Sequence, residues 1–259
     1  MKIKDLKKYY SEKTLEDYRV DYLYHNITEV INQVIRVKII KEFFGKYLKP
    51  SNNKVLDLGC GNGNDIINLN KTYSKKITNF VGVDLGKKTI ESLNSMNIKN
   101  CKFIVGDIEN LNLGEKFDIV LSSEVAEHLA NFEGHLDTIK KHLTPGGYLI
   151  LSTPNEKYLM KDIYKLLRYV FKPKSIEKVK EKHVDEEDEE HINVMPYNVL
   201  KEKLEAKDFE IIDKKRTMIM FGADYAEPYY GIIAFIDNIL PKKIMYLGNG
   251  VVIAARIKK

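Results

Sequence analysis

Short apolar runs recur through the middle of the chain, at 54–58 (KVLDL), 79–84 (NFVGVD), 102–105, 117–121 (FDIVL) and 147–152 (GYLILS). Each is rich in Val, Ile, Leu or Phe, and each is followed by a turn signal and a helix-like stretch. Runs without polar alternation predict parallel strands covered by helices on both faces. Their strand–helix rhythm predicts a doubly wound α/β sheet. Thr144-Pro-Gly-Gly147 predicts a turn that delivers the chain into the fifth strand. Further on, 197–207 is amphipathic, 209–216 reads as a sixth strand and 250–258 as a seventh, with an apolar, helix-like insertion at 228–246 between them.

The two flanks of this pattern differ from it. Leu15, Tyr18 and Tyr22, then Ile27, Val30, Ile31, Val34 and Ile35, fall near helical spacing and predict one or two helices leading to a loop at Pro50-Ser-Asn-Asn53. Tyr9, Tyr10, Tyr18, Tyr22 and Tyr24 suit either packing at the sheet edge or a lid over a small-molecule pocket. Residues 156–196 break the rhythm: 172–182 is lysine-rich and 185–190 is a run of six acids. A like-charge block predicts a solvated segment. The whole stretch is a candidate cap, because it follows the C-terminal end of a central strand, where α/β folds bind ligands. The expected organisation is an N-terminal helical lid over 1–50 and a core over 51–259, with the cap insertion at 156–196 and the apolar helical insertion at 228–246.

Composition narrows the class without naming a partner. The chain has 259 residues, 42 lysines and arginines against 37 acids, and a net charge of +5. That charge is too small to argue for nucleic acid or an anionic membrane. The two cysteines, Cys60 and Cys101, exclude a disulfide scaffold and a cysteine-rich zinc site, and both fit a reducing cytoplasm. No apolar run follows the first lysines, so no secretory signal is expected. The stretch 229–240 is interrupted by Asp237 and falls short of the roughly 20 residues that span a bilayer.

Chemistry concentrates first in Val55-Leu-Asp-Leu-Gly-Cys-Gly-Asn-Gly63. A strand ends near Asp57, and glycines alternate at Gly59, Gly61 and Gly63, where backbone can turn sharply and approach a ligand. The dinucleotide fingerprint has its third glycine one place later, and a phosphate-binding loop carries a lysine that is missing here. A carboxylate at Asp57 suits a cationic ligand. The second strand ends in Asp84, 21 residues after Gly63, where an acid can accept two ribose hydroxyls. Gly106-Asp107-Ile108 offers an acid and an apolar side chain to an adenine edge and face.

The ordered set VLDLGCGNG, VGVDLG, VGDI, FDIVLSSEVAEHL and LTPGGYLILSTPN resembles the class I S-adenosylmethionine-dependent methyltransferases, closely over about 30–155 and loosely beyond. The resemblance implies a Rossmann-like, seven-stranded α/β sheet with N-terminal helices and a helical insertion after the fifth strand. It implies that Gly59, Cys60 and Gly61 line the methionine part of the cofactor and that Asp57 helps hold its ammonium group. Asp84 and Leu85 would meet the ribose, Asp107 the adenine amino group, and Ile108 the ring. Within the class the chain is most similar to the ubiquinone-biosynthesis O-methyltransferases. That likeness implies that Arg36 is aimed at the cofactor carboxylate, one residue out of the usual spacing, and that Ser123 lines the cofactor.

Ser122-Ser-Glu-Val-Ala-Glu-His-Leu129 follows the fourth strand. On a helix, Glu124, Glu127 and His128 would share one face at i, i+3 and i+4. Two carboxylates and an imidazole can bind a divalent cation and activate a substrate hydroxyl. His128 or Glu127 can instead act alone as general base, or the acids can simply suit a helix N-terminus. The quinone enzymes carry a similar E-x-x-E-H, read there as a magnesium site. RNA 3′-terminal ribose methyltransferases add a downstream histidine, for which His191 is the better match here and His183 the poorer. His25, His135 and His142 have no partner pattern and read as surface or packing residues.

The expected activity is O-methylation of a small molecule such as a quinone precursor, a lipid-like compound or a sugar, with S-adenosylmethionine and Mg2+ as candidate cofactors. Two rival readings are RNA ribose methylation, using lysines such as Lys174, Lys178, Lys180 and Lys182 on phosphates, and a cofactor-binding module without catalysis. The apolar insertion with Lys242 and Lys243 is a candidate for peripheral membrane or lipid contact.

Overall fold

The structure is a computed structural model that describes residues 3–17, 27–159, 191–219 and 230–258. Its elements in chain order are α1 (Ile3–Glu12), α2 (Ile27–Tyr47), β1 (Asn53–Leu58), α3 (Asn64–Tyr73), β2 (Ile77–Asp84), α4 (Lys87–Ser95), β3 (Cys101–Val105) and β4 (Phe117–Ser123). A 3-10 turn (Ala126–His128), α5 (Phe132–His142), β5 (Leu143–Pro154), α6 (Tyr197–Ala206), β6 (Phe209–Arg216), α7 (Tyr230–Ile239), a second 3-10 turn (Met245–Leu247) and β7 (Gly250–Ile257) complete them.

The seven strands form one sheet in the order β3-β2-β1-β4-β5-β7-β6. β1 pairs in parallel with β2 and β4, as do β2 with β3 and β4 with β5, while β7 runs antiparallel between β5 and β6. Successive side chains face opposite sides. Leu56, Val83, Val120 and Leu151 point to the face closed by Phe132, Leu136 and Ile139 of α5 and by Leu200 and Leu204 of α6. Val55, Leu121, Ile150 and Val252 point to the face closed by Phe43 and Phe44 of α2, Ile66 of α3 and Leu93 of α4. Burying both faces explains why the strands are apolar throughout, and each large side chain removed from water contributes about 1.5–3 kcal/mol.

α5 shows how local sequence ends an element. The Asn131 side chain accepts from the Gly134 amide at 2.9 Å, Glu133 lies in the first turn, and Lys140, Lys141 and His142 lie in the last. That charge order complements the helix dipole.

Two local expectations are corrected. Thr144-Pro-Gly-Gly147 does not precede β5. The strand begins at Leu143, and the four residues form an irregularity between the Phe117–Leu143 and Ile119–Tyr148 pairs. The residues after β4 are not an α-helix either. Glu124 has φ of 53°, and only Ala126–His128 make a 3-10 turn. The insertion expected at 228–246 is α7 followed by the Met245–Leu247 turn. The charged runs at 172–182 and 185–190, with Tyr18, Tyr22, Tyr24, His25 and His183, lie outside the described residues.

Candidate active site

β1 and β4 are neighbours, and the chain leaves them toward opposite faces: β1 is followed by α3 on one, β4 by α5 on the other. A crevice opens at such a switch point, beyond the C-terminal strand ends. The glycine loop begins there. The Gly59 and Cys60 amides both donate to the Val83 carbonyl, at 2.8 and 3.0 Å, folding the loop over the end of β2. Gly59 has φ of +82°, and a Cβ on it would lie 2.4 Å from Val125 Cγ2, so only glycine fits. The Cys60 side chain turns into the core beside α3, leaving its backbone on the loop. Burial pushes its thiol well up, so it is not a thiolate nucleophile.

Asp84 ties the loop to the next turn. Its Oδ2 accepts from the Gly61 amide and its Oδ1 from the Gly86 amide, each at 2.9 Å. Each oxygen keeps acceptor capacity for a further donor. Leu85 beside it is partly exposed. Asp57 is buried, and its carboxyl is pushed well up by burial first and then by Asp65 and Asp84. A buried acid among acids fits a cationic ligand, which would relieve both costs.

Asp107, after β3, is half-buried and pairs with Lys7 Nζ at 2.8 Å. Ile108 beside it is 7 % exposed and packs in the core with Val83 and Val125. Its carbonyl faces His135 Nδ1 at 3.2 Å.

Arg36, from α2, is not aimed only at a ligand: its Nη1 lies 3.3 Å from Glu124 Oε2. Ser152 Oγ donates to Glu124 Oε1 at 2.9 Å and lies 3.1 Å from Ser123 Oγ. With its proton given to Glu124, Ser152 must accept from Ser123. Glu124 is thereby drawn away from the metal-ligand set expected for it, because its left-handed backbone turns it toward Arg36 and Ser152 and not along a helix face.

The donors that do converge are Glu127, His128 and His191, whose ligand atoms all lie within 4.8 Å of one another. Glu127 is 1 % exposed and accepts from Thr153 Oγ1 at 3.0 Å. Burial, and then Glu124, push its carboxyl well up. His128 Nε2 is 3.9 Å from Glu127 Oε1, and the His128 and His191 ring centroids are 4.9 Å apart. The 191–195 segment, a turn ending in an isolated bridge, is docked by its backbone: the Asn193 amide donates to the Glu127 carbonyl at 2.9 Å, and Asn155 bridges to Met195. Asn155, buried at the end of β5, donates to the Met245 and Gly248 carbonyls and accepts from the Tyr197 amide. Its role as this hub has no signal in the sequence beyond an asparagine after a strand.

His135 and His142 are buried packing residues with their hydrogen bonds satisfied, not surface ones. His135 Nε2 lies 2.9 Å from Ser122 Oγ, and His142 Nε2 accepts from the Leu113 amide at 3.0 Å. Burial pulls the His135 pKa from 6.5 to about 4. The unfolded chain therefore binds the extra proton between those values, and stability present above pH 6.5 is lost as pH falls through 4. We expect a loss of up to about 3 kcal/mol from this group. Urea denaturation across that range should give a shallower pH slope for His135→Asn than for the wild type; parallel profiles would refute this assignment.

Comparison with known proteins agrees with this geometry. Residues 49–214 match the family described as a methyltransferase domain. A malonyl-[acyl-carrier protein] O-methyltransferase of Bacillus cereus is 31% identical over 118 residues, 45% of this chain and 42% of that protein. A ubiquinone biosynthesis O-methyltransferase of Pelagibacter ubique is 31% identical over 137 residues, 51% and 55% of the two chains. The chain thus spans about half the length of the curated relatives it matches. The magnesium protoporphyrin IX methyltransferase of Synechocystis PCC 6803, solved with bound SAH, superposes with a TM-score of 0.57 at 15% identity, covering 90% of this chain and 89% of that one. With a match across most of the core, the glycine loop at the switch point and the seven-stranded order, the chain belongs to the methyltransferase domain family, of the class I S-adenosylmethionine-dependent type.

Proposed function

We propose that this protein moves the methyl group of S-adenosylmethionine to a hydroxyl oxygen of a small-molecule acceptor. The observation that carries the reading is the convergence of Glu127, His128 and His191 within 4.8 Å, beside the turn that Val125 packs against Gly59. The names of the two curated relatives, both O-methyltransferases, support oxygen as the receiving atom. The bound cofactor supplies a methyl carbon already activated by a sulfonium charge. Asp84 holds its ribose, Asp57 its ammonium group and the Gly59–Gly61 backbone its methionine part. What this chain must add is alignment, exclusion of water and a place for the acceptor's proton. His128 Nε2, facing Glu127, is the atom placed to take it.

A second reading of the same cluster is a cation site. One carboxylate and two imidazoles fit a transition ion such as Mn2+, Fe2+ or Zn2+ better than Mg2+, which prefers oxygen ligands. With Glu124 committed to Arg36, the set has too few oxygens for the Mg2+ site read from the sequence. Among the described residues no helix is long and apolar enough to cross a membrane.

The test is incubation of the protein with methyl-labelled S-adenosylmethionine and a cell extract, fractionated into small molecules, lipids and RNA. We expect label in the small-molecule or lipid fraction. Label confined to RNA overturns the acceptor assignment. Loss of labelling with a chelator, restored by Mn2+ but not by Mg2+, supports the cation reading, and indifference to both leaves His128 as the base.

A further inference from the structure

The chemistry above leaves Tyr10 unused, although α1 brings it to the centre of the site. Lys7 of that helix pairs with Asp107 at 2.8 Å and with Glu109. Just after its end the Lys13 carbonyl accepts from Thr89 Oγ1 at 2.7 Å. Between these anchors the Tyr10 hydroxyl lies 3.0 Å from His128 Nδ1, with the two rings edge-on at 63° and 5.4 Å between centroids. The opposite ring nitrogen, Nε2, is the one that faces Glu127. One short helix therefore touches the adenine-side acid, the start of α4 and the working histidine.

We propose that Tyr10 is a positioning residue: its hydroxyl oxygen accepts the Nδ1 proton of His128, which leaves the Nε2 lone pair directed at the Glu127–His191 side. This rests on the reading above only in taking Nε2 as the working atom. A neutral imidazole carries one N–H, and the partner of one nitrogen decides the state of the other. At His135 and His142 that partner is a backbone carbonyl, of Ile108 and Thr138, which can only accept. At His128 it is a hydroxyl, which can accept or donate, delivered by a helix 118 residues away, and a tautomer measurement reads which it does. Without the hydroxyl, the Glu127 carboxyl favours an Nε2–H that turns toward it. That tautomer can neither take the acceptor's proton nor bind a cation at Nε2.

The experiment uses the full chain with S-adenosylhomocysteine at mildly alkaline pH, and long-range proton–nitrogen NMR correlations that report the imidazole tautomer. The His128 signal is assigned by its absence in His128→Asn. We expect an Nδ1–H pattern in the wild type, and a shift to Nε2–H or an averaged pattern in Tyr10→Phe, which keeps the ring contact. His135 and His142 should keep their patterns in both. An Nε2–H pattern in the wild type, or an unchanged His128 signal in Tyr10→Phe, overturns the proposal. Labelling of the fraction that wild type methylates should be about tenfold slower in Tyr10→Phe, with S-adenosylhomocysteine affinity within about twofold of wild type. Equal labelling rates also overturn it. A label found only in RNA would sink the acceptor assignment and leave the tautomer result standing.

Discussion

Asp84→Asn is expected to weaken S-adenosylhomocysteine binding by about 100-fold or more while the protein stays folded. The carboxylate has two jobs that an amide cannot share. Both of its oxygens already accept backbone amides, Gly86 on one and Gly61 on the other, at 2.9 Å. An asparagine must turn its NH2 toward one of those amides, setting donor against donor, and a buried donor left unmade costs about 1–3 kcal/mol. The same change removes the charge from a ribose hydrogen bond, which is worth about 1.5–3 kcal/mol when the acceptor is ionised. Together these come to about 2.5–6 kcal/mol, against the roughly 2.7 kcal/mol that a 100-fold change requires. The fold should survive, because burial already opposes the Asp84 charge and raises its pKa, and asparagine removes that opposition. Calorimetric titration with S-adenosylhomocysteine reads the result. Affinity within threefold of wild type would remove Asp84 from the ribose site.

This acid was readable in the sequence for a physical reason. A parallel strand buried on both faces is apolar to its end, so the first polar residue, Asp84 after Phe80-Val-Gly-Val83, marks where the chain reaches the crevice. The same logic located Asp57 and the five parallel strands. It failed after β4, because residue spacing carries meaning only once the backbone is known. Glu124, Glu127 and His128 share a face only on an α-helix, and a φ of 53° at Glu124 sends its side chain to Arg36 instead. The contacts of α1 were invisible for a different reason. Lys7 meets Asp107 and Tyr10 meets His128 across 100 and 118 residues, and no local pattern reports such distances. In the sequence only family likeness points to His191; what seats it beside His128 is the backbone docking of Asn193 and Met195.

Glu127→Gln is expected to cut methyl transfer at least 100-fold, to leave cofactor affinity within about threefold, and to make the folded protein more stable. The first effect follows from place. Glu127 is the buried carboxyl against which His128 Nε2 is set, so an amide removes the charge that would stabilise a protonated His128 or a bound cation. Proton transfer by a positioned group is worth about 10²–10⁴ in rate. Cofactor affinity should hold, since the groups assigned to it are Asp57 of β1, Asp84 of β2 and the glycine loop, none of them in the turn that carries Glu127. The third effect follows from burial. The carboxyl is 1 % exposed, with Glu124 as a like-charged neighbour, and both push its pKa up. A carboxyl raised in the folded state contributes stability below its unfolded pKa and loses it as pH rises through the folded value. Glutamine keeps a carbonyl for the Thr153 hydroxyl and carries no charge to lose. The variant should therefore gain on wild type as pH rises from about 4.3, reaching about 2–4 °C in Tm at neutral pH for each kcal/mol recovered. Scanning calorimetry over that range and labelling of the wild-type target fraction measure the two effects on one preparation. A variant that still transfers methyl at wild-type rate would take Glu127 out of the chemistry. One that melts lower at neutral pH would show that the carboxyl is held by a compensating positive charge.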